Sequence, residues 1–246
     1  MSRLNQLLLD GYDLHYSRLN QGAAIRQPSR NHWRQMDRTY GPYISRLPTG
    51  SRVLDLGCGA GCLLQWLSRR PGIVPVGVDT SVPQANAAQR LLPGVEVHCE
   101  DGLDFLRRHP DEFSAIFSTD VLEHVPSDDQ CLEWVEAVRA ALLPGGFFFC
   151  RVPNAANLLG NYSRYVDLTH RRGFTPTSLL QLLEASGLAN CSVAPHRPGH
   201  PLGGLRLGLS HLLHRTLFAI CGHEGTAVYT ANVCAVGYRL GSDVGN

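Results

Sequence analysis

Two stretches of this sequence combine residue types and spacings that can do chemistry. The first runs Asn161-Tyr162-Ser163-Arg164-Tyr165-Val166-Asp167-Leu168-Thr169-His170 and continues to Pro176. His170 is the residue of this run whose ordinary pKa lies near neutrality, and Asp167, three positions earlier, can orient it. Such a pair can take a proton from a hydroxyl as that hydroxyl attacks an electrophile. A cap-and-loop network would use the same residues. The second stretch is Asp55-Leu56-Gly57-Cys58-Gly59-Ala60-Gly61. Alternating glycines let the backbone turn sharply and let a ligand approach where a Cβ would stand in the way. Asp55 favours a ligand bearing positive charge and suits a pyrophosphate poorly. The GxGxxG spacing of dinucleotide sites is absent here.

These groups need a scaffold that brings distant segments together. Val53 and Leu54 lead into Asp55 as a buried strand, and Leu63, Leu64 and Leu67 follow at helical spacing. The glycine loop therefore opens onto a helix N-terminus, with its free N–H groups facing the turn. Further strands are expected at about 73–79, 95–99, 113–119 and 147–152, with helices between them at about 82–92 and 102–108 and around Leu132, Val135, Val138 and Leu142. Alternation this regular implies an α/β fold with a parallel sheet wound on both sides. A long loop follows Pro153, Thr175-Pro176 opens another helix, and about 192–195 and 229–239 read as two last strands. The expected organisation is an N-terminal helical lid over 1–50 and one domain over 51–246, with a substrate loop at 153–176 and a helical insertion at 196–226.

The glycine loop resembles motif I of the class I S-adenosylmethionine-dependent methyltransferases. That resemblance implies a Rossmann-like, doubly wound, seven-stranded sheet ending in an antiparallel hairpin. It places Asp55, Gly57, Cys58, Gly59 and Gly61 at the amino-acid part of S-adenosylmethionine. Asp79 with Thr80 looks like motif II, where the acid accepts from the ribose hydroxyls; the alternative is a helix N-cap region. Asp101-Gly102 resembles the next motif, with Asp101 on the adenine amino group; the alternative is an acid that suits the following helix dipole. Asp120-Val121-Leu122-Glu123-His124-Val125 resembles the signature of a branch that includes ubiquinone-pathway and sugar-modifying enzymes. Thr119 and Asp120 would then face the methionyl part, and Glu123 and His124 either approach the transfer site or hold the loop.

Val152-Pro153-Asn154, Asp167-x-Thr169-His170 and Phe174-Thr175-Pro176 are similar to a subgroup thought to act in bacterial polysaccharide and glycolipid assembly. The implied acceptor is a sugar hydroxyl of a surface polysaccharide or lipid-linked precursor, with Asn154, Tyr162, Arg164 and Tyr165 as its wall and His170, Asp167 and His124 as candidate catalytic residues. A quinone precursor or secondary metabolite is the alternative acceptor, and a non-catalytic cofactor-binding partner of a glycan-assembly enzyme is the rival from another class. A metal held by Asp120, Asp167 and His170 is chemically possible, but no tight ligand spacing supports it, so none is expected.

Composition bounds these readings. The 246 residues, 43% hydrophobic, suffice for one sizeable core. A net charge of +1 gives no field favouring nucleic acid. No secretory leader is visible over 1–10 and no apolar run is long enough to span a bilayer, so a cytoplasmic protein is expected. The eight cysteines contain no CxxC pair and read as buried free thiols. Arg26, Arg30, Arg34 and Arg38 recur every four residues, as a solvated face or as part of a lid over an anionic group. Leu202, Leu205, Leu209, Leu212, Leu213, Leu217 and Ile220 share one helical face in the insertion. That face is expected to pack on the domain or a partner subunit, or to lie in a membrane interface.

Overall fold

The computed structural model describes residues 28–197, 199–200 and 202–241. Seven strands form one sheet: β1 (Ser51–Leu56), β2 (Ile73–Asp79), β3 (Glu96–Cys99), β4 (Phe113–Thr119), β5 (Leu142–Pro153), β6 (Ala189–Pro195) and β7 (Asn232–Tyr238). Their order is β3-β2-β1-β4-β5-β7-β6. The first five run parallel, and β7 lies antiparallel to both β5 and β6. Chain order reverses between β1 and β4, so a crevice opens beyond their carboxyl ends, where ligands of such sheets bind.

The central strands are almost wholly apolar because both faces are covered. Successive side chains of β1 point to opposite sides. Leu54 joins Val76, Phe105, Trp134, Phe148 and Leu179 in one core layer, and Val53 joins Tyr40, Trp66, Phe117 and Phe149 in the other. Helices supply the covers: α1 (Arg30–Thr39), α2 (Gly41–Ile44), α3 (Cys62–Leu67), α4 (Val82–Leu91), α5 (Gly102–Arg108), α6 (Asp128–Ala141), α7 (Gly160–Tyr165), α8 (Pro176–Ala185) and α9 (Gly203–Ile220). Their starts follow local chemistry. The Ser127 hydroxyl accepts from the Gln130 N–H ahead of α6, whose first turn carries Asp128 and Asp129 against the helix dipole. Thr175 and Ser178 form a reciprocal capping box on α8 with Pro176 in its first turn.

Three expectations need correction. The described part of the N-terminal segment is a core element rather than a lid. Met36, Tyr40 and Ile44 are buried, and the Tyr40 ring meets Trp66, Phe117 and Phe149 edge-on. Arg30, Arg34 and Arg38 are exposed along α1, whereas Arg26 lies outside the described residues, as does the N-terminal stretch read for a leader. The loop 153–176 is not wholly irregular, since it contains α7 and folds back through an Asn154–Phe174 bridge. All eight cysteines are free, but Cys62, Cys99 and Cys221 are exposed; Cys99 ends β3 at the sheet's edge, where cover is thin.

Candidate active site

The glycine loop leaves β1 at the switch point. Gly57 has φ +83°, and a Cβ there would collide with Val121 Cγ2. Gly61 caps α3 at φ +85°, with Ala88 already 3.1 Å from the Cβ it lacks. Both positions combine a left-handed backbone with no room, so glycine is required. Cys58 is buried beneath the turn; burial pushes its thiol up, so it packs rather than reacts.

Asp55 is 1% exposed, and neither carboxylate oxygen has a hydrogen-bond partner. Burial, reinforced by the Asp79 charge and opposed by Arg151, pushes its carboxyl up to about 8. An unpaired buried carboxylate is costly, and a cationic ligand relieves that cost. Asp79, at the end of β2, accepts the Gly59 N–H and the Ser81 N–H, each at 2.8 Å. It therefore ties the glycine loop to the second strand. Each oxygen accepts one backbone bond and retains a lone pair, which suits ribose hydroxyls. Burial raises its pKa, and the two backbone hydrogen bonds oppose that shift. Thr80 is exposed beside it.

Asp101 caps α5, its Oδ1 accepting from Leu103 and Asp104. The capping role weighed from sequence is thus present. Gly102 follows with Leu56 Cδ1 3.0 Å from a would-be Cβ.

Thr119 ends β4, and Asp120 turns the chain with φ +59°. Its backbone N–H reaches the Arg151 carbonyl at 2.8 Å, and both carboxylate oxygens take the Arg151 guanidinium. Arg151 also lies 3.5 Å from the Tyr40 hydroxyl and from His196 Nε2. Arg151 went unread in the sequence, although a lone charge inside Phe147-Phe148-Phe149-Cys150-Arg151-Val152 was the available signal.

A short 3-10 turn, Leu122–His124, follows. Glu123 is 1% exposed with both carboxylate oxygens unpartnered, and burial followed by the Asp120 charge drives its pKa well up. Its carbonyl accepts the Arg171 N–H at 2.6 Å, which fastens the 153–176 loop to this turn. His124 Nδ1 lies 2.9 Å from Thr169 Oγ1, and that hydroxyl donates to Asp167 Oδ1 at 2.6 Å. With the hydroxyl proton committed to Asp167, His124 donates from Nδ1, and its Nε2 is left with a lone pair. Burial, then the neighbouring His170, lowers His124 to about 4, so it is neutral at physiological pH.

Asp167 was expected to orient His170. It instead reaches His124 through Thr169, and His170 Nδ1 is held by the Ser163 carbonyl at 2.9 Å. His170 is nevertheless in the site, its ring 4.8 Å from that of His124. Each imidazole thus presents an Nε2 acceptor next to a buried carboxyl. Among the described residues, Glu123, His124 and His170 bring ligand atoms within 4.8 Å of one another. This differs from the Asp120–Asp167–His170 set weighed from sequence.

The substrate wall needs a larger correction. Asn154 is fully buried; its Nδ2 donates to the Val228 and Thr230 carbonyls, and its Oδ1 accepts from Ala156. With all three bonds internal, it braces the loop rather than meeting a substrate. Tyr162 and Tyr165 do face outward, 68% and 71% exposed, and Arg164 stands over the Tyr165 ring at 5.0 Å.

A mostly parallel sheet with a terminal antiparallel pair, a glycine loop at its switch point and an acid at or just past the end of each neighbouring strand define a nucleotide-binding transferase of the methyltransferase type. Comparison with known proteins agrees. The family model described as "Methyltransferase domain" matches residues 32–193, and the chain belongs to that family, the S-adenosylmethionine-dependent methyltransferases. A ubiquinone biosynthesis O-methyltransferase of Dinoroseobacter shibae is 32% identical over 162 residues, which are 56% of this chain and 60% of that protein. The chain thus spans less than two thirds of the curated relatives it matches. An Archaeoglobus fulgidus SAM-dependent methyltransferase shares the fold with a TM-score of 0.66 at 18% identity, over 92% of this chain and 99% of the other. Haemonchus contortus phosphoethanolamine N-methyltransferase 2, solved with S-adenosylhomocysteine, superposes with a TM-score of 0.63 at 16% identity, over 95% of this chain and 58% of that one. The residues fit the cofactor. Asp55 offers the unpaired buried carboxylate an ammonium needs, Asp79 has acceptor capacity for the ribose, and the glycine cradle has no space for side chains.

Proposed function

We propose that this chain methylates a hydroxyl on a lipid-linked acceptor. S-adenosylmethionine supplies an electrophilic methyl on a sulfonium, already a good leaving group. The protein's share is to align the acceptor and to remove its proton as attack proceeds. The observation that carries the reading is the pair of ordered imidazoles, His124 and His170, each with Nδ1 occupied and Nε2 available. His170 sits on the loop that carries the exposed tyrosines, so it is the preferred base; His124, held through Thr169 and Asp167, aligns it.

A phenolic ring with an apolar tail is the first acceptor reading. The relatives named for ubiquinone biosynthesis support it, as do the exposed Leu158, Leu159 and Leu168 around the loop. A sugar hydroxyl is the second, favoured by the Tyr165–Arg164 stack, a flat polar platform of the kind a sugar ring covers. Transfer of labelled methyl into cell extracts separates them: label in phenolic lipids supports the first, label in glycan the second. Absence of label from every fraction, with S-adenosylhomocysteine binding intact, refutes both and leaves a non-catalytic binding module.

A further inference from the structure

Helix α9 gathers leucines on one face and mixes Arg206, Ser210, His211, His214 and Arg215 with apolar residues on the other. Its inner side is covered. His214 is buried, stacks on Tyr229 at 5.0 Å and accepts the Leu158 N–H at 3.0 Å, while Phe218 meets the same tyrosine at 5.2 Å. The outer side is open. Leu202, just before the helix, with Leu205, Leu209, Leu212, Leu213 and Ile220, is between 53% and 75% exposed. At 3.6 residues per turn these six fall within an arc of about 100°. Arg206 borders that arc on one side and Arg215 stands beyond it on the other, both exposed. The helix contains no Asp or Glu; Glu224 lies past its end.

We propose that this face docks on an anionic lipid bilayer, with the leucines in the acyl boundary and Arg206 and Arg215 at the phosphates. The charge arrangement selects this occupant over a second copy of the chain. Two such helices face to face would bring arginines together with no helix acid to pair them, whereas anionic headgroups complement both. Among the described residues no helix is long and apolar enough to cross a membrane, so the helix lies along the surface. The Leu158–His214 bond sets Leu158 and Leu159 beside α9, and α7 continues from them to Ser163, whose carbonyl holds His170. The docked face is therefore continuous with the wall of the candidate site.

The test uses the full chain in vesicle flotation, which reads binding without turnover and so is independent of the acceptor reading. Wild type should float with phosphatidylcholine vesicles containing about 30% phosphatidylglycerol, and at least about tenfold less with phosphatidylcholine alone. Leu209→Glu with Leu213→Glu should reduce binding by about tenfold or more, and Arg206→Glu with Arg215→Glu should remove the preference for anionic vesicles. Both variants should bind S-adenosylhomocysteine as wild type does, which shows that the fold survives. Wild type that stays unbound, or a leucine variant that floats equally well, overturns the proposal. So does a wild-type dimer in sedimentation that the leucine variant dissociates.

Discussion

Replacing Asp55 by Asn should make the ligand-free protein more stable and its cofactor complex weaker. The carboxyl is 1% exposed and unpartnered, and its pKa stands at about 8 against an ordinary 3.8. Because the folded state binds this proton more tightly than the unfolded chain, the group lowers stability progressively as pH rises from about 4 to about 8. At pH 7 that linkage amounts to about 4 kcal/mol. Asn removes the ionisation but leaves a buried amide without partners, a cost of about 1–3 kcal/mol. The net gain expected at pH 7 is about 1–3 kcal/mol, or several degrees in Tm for a chain of this size. Cofactor affinity should fall by about a hundredfold, the worth of a charge-assisted hydrogen bond. Thermal unfolding at pH 5, 7 and 8.5, with and without S-adenosylhomocysteine, reads both effects. Wild type should lose stability across that range, and the variant should show a flatter profile and little ligand shift. A variant that is less stable without ligand at pH 8.5, yet gains the full wild-type ligand shift, would refute the assignment.

Other outcomes follow from the same geometry. Asn154→Ala strips three internal hydrogen bonds from a fully buried site and should cost about 2–4 kcal/mol in urea unfolding, with S-adenosylhomocysteine affinity retained; a loss of acceptor affinity alone would restore it to the substrate wall. Gly57→Ala should abolish S-adenosylhomocysteine binding in calorimetry, because its Cβ meets Val121 and its φ is strained. His170→Ala should lower kcat by about 10²–10⁴-fold with cofactor affinity unchanged, and an unaltered rate would remove it as the base. The depressed His124 pKa makes folded-state stability fall as pH drops from about 6.5 toward about 4, an acid sensitivity that His124→Gln should reduce in pH-dependent melting.

The sheet was legible because its signals are local. Unbroken apolar runs such as those of β1 and β4 need cover on both faces, and the glycines at 57, 59 and 61 can only serve a turn. Asp55 and Asp79 were readable for the same reason, since each lies at or next to the carboxyl end of a strand whose position the alternation dictates. The residues that brace the site from behind were not. Asn154 resembles a wall residue in the chain and proves to be a brace, because its partners at 228 and 230 come from beyond the insertion.

Sequence alone determined the class of fold and the glycine loop at its switch point, both of which depend on side-chain period, backbone freedom and charge within a few positions. Only the tertiary structure decided which polar groups meet. Asp167 turned out to serve His124 through Thr169, His170 to lean on the Ser163 carbonyl, and Arg151 to clamp Asp120 from the neighbouring strand. The His124–Thr169 and Arg151–Asp120 pairings join segments 45 and 31 residues apart, and the His170–Ser163 contact depends on how the intervening loop folds, so short-range pattern carries no information about them.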